Sequence, residues 1–238
     1  MLVVVKVGTD SVIGNMEKIA HDIISAKKSG IDVILVSSGA IGMGRKMHQD
    51  FGNNTVEKQV LASIGQTELI SEYKRIFAKD DYSVGQILMT KNDIKNQNAK
   101  QNIQNVINIM LSKKNIIPIF NENDTVSFYE IMFTDNDQLA GIISKLFNAQ
   151  RLIIMTNVNG VYAHFNTPNE KIITRVTKGT KLDISETKSA SGRGGMQSKV
   201  QTAKEMRNNN IQTTICNVHT ENAIVRIANG EEIGTTFV

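Results

Sequence analysis

Short apolar runs and amphipathic stretches alternate along this chain. The run Leu2-Val3-Val4-Val5 predicts a strand over 2–7, and apolar positions three and four apart predict a helix over 16–28. The alternation continues with a strand over 32–37, a helix over 40–48 and a longer helix over 56–78. Beyond these come a strand Tyr82–Met89, a helix over 98–113, a strand Ile116–Phe120, a helix over 137–148 and a strand Arg151–Met155. Such repetition predicts parallel βαβ units with helices on both sheet faces. Gly30, after the Lys27-Lys28 pair, reads as a helix stop.

After Val161 the pattern weakens. His164–Asn169 reads as a turn, and 171–190 as short strands and lysine-bearing loop, expected to be a mobile flap. Regularity returns with a helix over 195–208, a strand over 211–216, a short helix over 220–228 and a final strand Thr235–Val238. Two prolines are too few for a rigid linker and no internal repeat is visible, so one domain is expected over 1–238.

Composition narrows the class. With 40% apolar and 21% charged residues, the 238-residue chain has ample core material and is neither disordered nor fibrous. The net charge of +4 suits a polyanionic ligand, but the basic residues are spread out. No arginine-rich stripe with interleaved aromatics marks a nucleic-acid surface, and none is expected. Cys216 is the only cysteine, which excludes an intrachain disulfide and a cysteine-cluster metal site. No segment reaches membrane-spanning length, and the cytoplasm is the default location.

The candidate chemistry lies in glycine-bearing segments at opposite ends of the chain. Lys6 closes the first apolar run before Val7-Gly8-Thr9, and Lys199 ends Gly194-Gly195-Met196-Gln197-Ser198-Lys199 at a helix start. A strand-end lysine and a helix-start lysine can meet over one phosphate chain, with Asp135-Asn136-Asp137 between them to orient both ammonium groups. Neither the P-loop nor the dinucleotide fingerprint is present. Ser37-Ser38-Gly39-Ala40 follows the second strand, where small residues let backbone N–H groups approach an anion. A plain turn with Ser38 as N-cap is the simpler account of that segment. Asn121-Glu122-Asn123-Asp124 puts amide and carboxyl groups at the same edge, suited to a small zwitterion. Thr156-Asn157 follows the strand ending at Met155 and reads as a nucleotide contact or an ordinary strand-end turn.

Together these segments resemble the amino acid kinase family. The blocks Val4–Thr9, Ser37–Ile41, Val84–Leu88, Asn121–Asp124, Asp135–Asp137 and Gly194–Lys199 follow the family's order over essentially the whole chain. The Asn121–Asp124 and Asp135–Asp137 blocks match its glutamate-phosphorylating branch. The resemblance implies an α/β fold, a three-layer αβα sandwich with a central, mostly parallel sheet. It implies an acceptor-binding part over about 1–150 and a nucleotide-binding part over about 151–238. The implied reaction is transfer of the ATP γ-phosphate to the side-chain carboxylate of L-glutamate, an early step towards proline, with Mg²⁺ on the nucleotide.

By matched position, Ser38, Asp124 and Asn136 are implied as glutamate ligands. Lys6, Gly8, Thr9, Thr156, Asn157, Arg193, Gly194, Gly195, Met196, Gln197, Ser198 and Lys199 are implied around ATP, and Asp137 as organiser of the two lysines. Proline as feedback inhibitor and a homodimer or tetramer are further implications. The C-terminal PUA domain that many members carry is not expected within these residues. Three positions depart from the usual pattern: Asp10 after the first glycine, Asn157 in place of a common aspartate, and Arg193 before Gly194. Rival readings are another kinase of the fold, acting on acetylglutamate, aspartate, carbamate, a nucleoside monophosphate or an isoprenoid phosphate, and a non-catalytic nucleotide-binding regulator.

Overall fold

Leu2–Val7 forms the central strand β1, and its period-2 alternation decides what lies on each side. Val3, Val5 and Val7 enter one core, and Val4 enters the other. Both faces are covered, as parallel sheets require. Lys6 therefore shares the Val4 face.

The computed structural model describes residues 1–127, 133, 135–164, 167–180, 182 and 195–238. After β1 come α1 (Thr9–Val12), α2 (Met16–Lys28), β2 (Asp32–Ser37), α3 (Ala40–Met47) and α4 (Thr55–Phe77). A 3₁₀ turn, Ala78–Asp80, leads to β3 (Ser83–Met89), α5 (Lys91–Lys95), α6 (Gln97–Ser112), β4 (Ile116–Glu122) and α7 (Asn136–Leu146). The remainder is β5 (Arg151–Thr156), β6 (Val161–Ala163), β7 (Lys171–Ile173), β8 (Arg175–Val176), α8 (Met196–Asn208), β9 (Gln212–Asn217), α9 (Ala223–Ala228) and β10 (Thr235–Phe237).

Eight of these strands make one sheet in the order β3-β4-β2-β1-β5-β9-β10-β8, and β6 pairs with β7 apart from it. Every pairing in the large sheet is parallel except β9 with β10. Helices α2, α4 and α9 supply one core, and α6, α7 and α8 the other, giving three layers. β2 and β5 flank β1 on opposite sides, so chain order reverses there and a crevice opens beyond the carboxyl ends of the strands.

Local chemistry sets most boundaries. Met16, Ile19, Ala20, Ile23 and Ile24 give α2 its buried stripe, and Gly30 at φ +79° ends it as expected. Asn54 caps α4 through the amide of Glu57, and Asn96 caps α6 through those of Asn98 and Ala99. Helix α9 begins at Ala223 rather than 220, because Asn222 sits in the left-handed region at φ +50° and cannot be a helical residue. Two short helices, α1 and α5, are too brief to show a periodic stripe.

The α3–α4 contact is unusually close because two glycines permit it. A Cβ at Gly65 would lie 1.9 Å from the Ala40 carbonyl oxygen, and one at Gly44 would lie 2.1 Å from that of Leu61. This contact sets the start of α3, and the Ser37-Ser38-Gly39 turn before it, directly against the middle of α4. Among the described residues, no helix is long and apolar enough to cross a membrane.

Candidate active site

The first turn of α7 gathers the site. Asp135, Asn136 and Asp137 follow one another around the helix, so their side chains leave in three directions. Asp135 caps the helix, accepting from the amides of Asp137 (2.9 Å) and Gln138 (3.0 Å), and its other oxygen accepts from Ser198 Oγ in α8. One carboxylate thus ties the starts of α7 and α8 together.

Asp137 points at both lysines. Lys6 Nζ lies 2.6 Å from Oδ1, and Lys199 Nζ donates to Oδ2 at 3.0 Å. The Oδ1 contact is a close ion pair without directed hydrogen-bond geometry. Asp137 is 0% exposed, Lys6 4% and Lys199 8%. Burial alone opposes charge on Asp137, but the two ammonium groups outweigh it and hold the carboxyl below its ordinary range. Burial also lowers the Lys6 pKa, with Asp137 opposing the shift and Lys199 reinforcing it. Two cations thus flank one carboxylate in a nearly dry setting, with Asp135 also close enough to act on Lys6.

Asn136 turns toward the ends of β2 and β4. Its Nδ2 donates to Ser38 Oγ at 2.7 Å and to Asn121 Oδ1 at 2.9 Å. Ser38 is therefore not the N-cap of α3. That place belongs to Gly39 at φ +120°, which has no side chain to cap with, and the Ser38 hydroxyl meets Asn136 instead. Glu122 is buried and accepts from the amide of Phe133 at 2.8 Å. Asp124 lies half-buried in the turn after β4.

The nucleotide-side candidates meet at the same edge. Gly8 is the N-cap of α1, and a Cβ there would lie 3.4 Å from Lys6 Nζ, so backbone passes close to the ammonium. Thr9 opens α1, and Gly195, Met196, Gln197 and Ser198 form the cap and first turn of α8. Thr156 ends β5, which pairs with β1 through Lys6 and Ile154. Asn157 locks onto α1, accepting from Ser11 Oγ at 3.0 Å and donating from Nδ2 to the Asp10 carbonyl at 3.2 Å. Asp10 is exposed, where water screens its carboxylate. Arg193 and Gly194 lie outside the described residues, as do residues 181 and 183–190 of the expected flap, whose first part forms β7 and β8.

A family model described as "Amino acid kinase family" matches residues 1–217. The chain belongs to the amino acid kinase family. Among relatives in this family, the glutamate 5-kinase of Bacteroides thetaiotaomicron is 37% identical over 215 residues, covering 88% of this chain and 59% of that protein. The glutamate 5-kinase of Clostridium perfringens is 36% identical over 255 aligned residues, covering 99% of this chain and 94% of its own length. A carbamate kinase from Giardia lamblia bound to AMP-PNP superposes with a TM-score of 0.67 at 18% identity, covering 100% of this chain and 98% of that one. The UMP kinase from Bacillus anthracis gives 0.64 at 14% identity, covering 99% and 95%. At these identities the structural likeness establishes the amino acid kinase fold alone.

Gln66 and Ser11 escaped the sequence reading. Gln66 sits in mid-helix, outside any motif, and its Oε1 accepts from Asn121 Nδ2 at 2.8 Å. Its signal is positional: it falls at helical spacing from Ala62, Leu69 and Tyr73, which are all buried, and a polar residue on that stripe needs a partner.

Proposed function

We propose that this protein transfers the γ-phosphoryl group of ATP to the side-chain carboxylate of L-glutamate, giving L-glutamyl 5-phosphate for proline synthesis. The observation that carries the reading is the buried Lys6–Asp137–Lys199 cluster, with one anion set between two cations at the carboxyl edge of the sheet. The glutamate 5-kinases matched over most of this chain support the choice of acceptor.

The chemistry follows from charge. A glutamate side chain, with an ordinary pKa of about 4.3, is already ionised near neutrality, so no general base is required. Two anions must instead be brought together in line, and fixed positive charge does that work. In this reading Lys6 and Lys199 are catalytic and neutralise charge on the transferring group, and Asp137 holds both ammonium groups on aim. Ser38, Asp124 and Asn136 bind glutamate. Gly8, Thr9, Thr156, Asn157, Arg193, Gly194, Gly195, Met196, Gln197 and Ser198 surround the nucleotide.

Both Asp137 oxygens are taken by ammonium groups, so this carboxylate does not serve a metal. Mg²⁺ would arrive held through the nucleotide phosphates, where it supplies further charge neutralisation. The same reading includes proline inhibition and assembly into a dimer or tetramer, which assay with added proline and sedimentation test.

The deciding experiment measures ADP release in Mg²⁺ with glutamate, aspartate, acetylglutamate and uridylate offered separately. Stimulation by glutamate alone is expected, and stimulation by another acceptor alone would overturn the substrate assignment. No stimulation by any of them, with ATP bound, would favour a non-catalytic regulator.

A further inference from the structure

Three amides are linked in a line from the middle of α4 to the start of α7. Asn121 Nδ2 donates to Gln66 Oε1, and Asn121 Oδ1 accepts from the Glu122 amide at 2.9 Å and from Asn136 Nδ2. Asn136 spends both Nδ2 hydrogens, one on Asn121 and one on Ser38. Its Oδ1 is left buried with no hydrogen-bond partner among the described residues.

Each amide in this line fixes the next. Were Asn121 to turn over, two donors would face each other at Glu122 and two at Asn136. Were Asn136 to turn over, its oxygen would oppose Asn121 Oδ1. An unpaired buried carbonyl disfavours the resting state by about 1–3 kcal/mol, so a ligand N–H that reaches it gains correspondingly. A ligand carboxylate there would be repelled. The orientation of one amide therefore decides which end of a zwitterion goes where.

We propose that Gln66 is a positioning residue that, through Asn121, holds Asn136 with its oxygen turned out to accept from the amino group of the acceptor. It thereby sets the preference for an amino acid over an equally long dicarboxylate. The inference rests on the acceptor being glutamate. In this role Gln66 acts by supplying the acceptor for Asn121 Nδ2, alongside the Glu122 amide that holds Asn121 Oδ1.

The test compares glutamate with glutarate, which has the same carboxylates and no amine, in wild type, Gln66→Met and Gln66→Glu. Methionine keeps length and removes the acceptor. Glutamate at position 66 keeps an acceptor oxygen. Gln66→Met is expected to raise the glutamate KM about tenfold and to shrink the glutamate-to-glutarate ratio of kcat/KM by a similar factor, the worth of roughly one oriented hydrogen bond. Its ATP KM should stay within about twofold, and Gln66→Glu should restore both glutamate values. If Gln66→Met does not fold, Gln66→Lys, which offers only donors, is expected to lower the same ratio. A wild type that discriminates while a folded variant keeps the full ratio would overturn the role of Gln66 and leave the kinase reading intact. A wild type inactive with glutamate would overturn both.

Discussion

Replacing Asp137 by asparagine removes a buried charge that two ammonium groups share. Breaking a buried ion pair from one side costs about 3–5 kcal/mol. The structure sets a ceiling close to that figure, because a stranded lysine can shed its proton. Taking a lysine with an ordinary pKa of about 10.4 to its neutral form at pH 7 costs about 4.6 kcal/mol, at about 1.36 kcal/mol per unit. The expected loss is therefore about 4 kcal/mol at neutral pH, out of a typical total of about 5–15 kcal/mol.

The sign of the pH dependence makes this testable beyond mere destabilisation. In the variant, one lysine has a folded pKa well below its unfolded value, so the unfolded chain binds more protons and stability rises with pH. Urea unfolding of Asp137→Asn between pH 7 and 9 should show a gain approaching about 1.4 kcal/mol per unit, recovering much of the deficit. Wild type should rise less steeply, since Asp137 supports the charge on Lys6. Equal slopes in the two proteins would refute the shared-carboxylate account, whatever the size of the loss at pH 7.

Four further outcomes are expected. Lys199→Ala should lower turnover by at least about a hundredfold, and near-normal turnover in the folded variant would remove it from the catalytic group. Asp22 is buried in α2 against the amide of Ile224, and burial pushes its carboxyl up to about 6. Its raised pKa contributes stability fully present below about pH 4 and lost as pH rises through about 6, so Asp22→Asn should gain about 3 kcal/mol on wild type between pH 4 and 7, measured by urea unfolding. Gly65→Ala would force α3 and α4 apart and should destabilise by about 1–3 kcal/mol while raising the glutamate KM, read by melting and steady-state assay. Asn157→Asp keeps the bond from Ser11 but loses the one to the Asp10 carbonyl, so the ATP KM should rise about fivefold with the glutamate KM unchanged.

Much of this molecule was legible from residue order alone. Strand β1, helix α2 and helix α4 follow directly from apolar spacing, because period 2 and period 3.6 are written into the chain wherever a face is buried. The lysines, the acidic cluster and Ser38 could be picked out by residue type and by position at element ends. Whether Ser38 caps a helix or serves the site was not decidable that way, since the segment fits both. Helix packing showed that Gly39 takes the cap position and that the Ser38 hydroxyl meets Asn136. Lys6 faces α7 because it shares the Val4 side of β1, and Asn136 reaches Ser38 across 98 positions in the chain. Gln66 became visible only through its bond from Asn121 in β4, and Asp137 became a bridge only once β1 and α8 converged on it. Local sequence encodes local periodicity and capping, whereas an ion pair or an amide relay between distant segments depends on how whole elements pack, which no short window of residues contains.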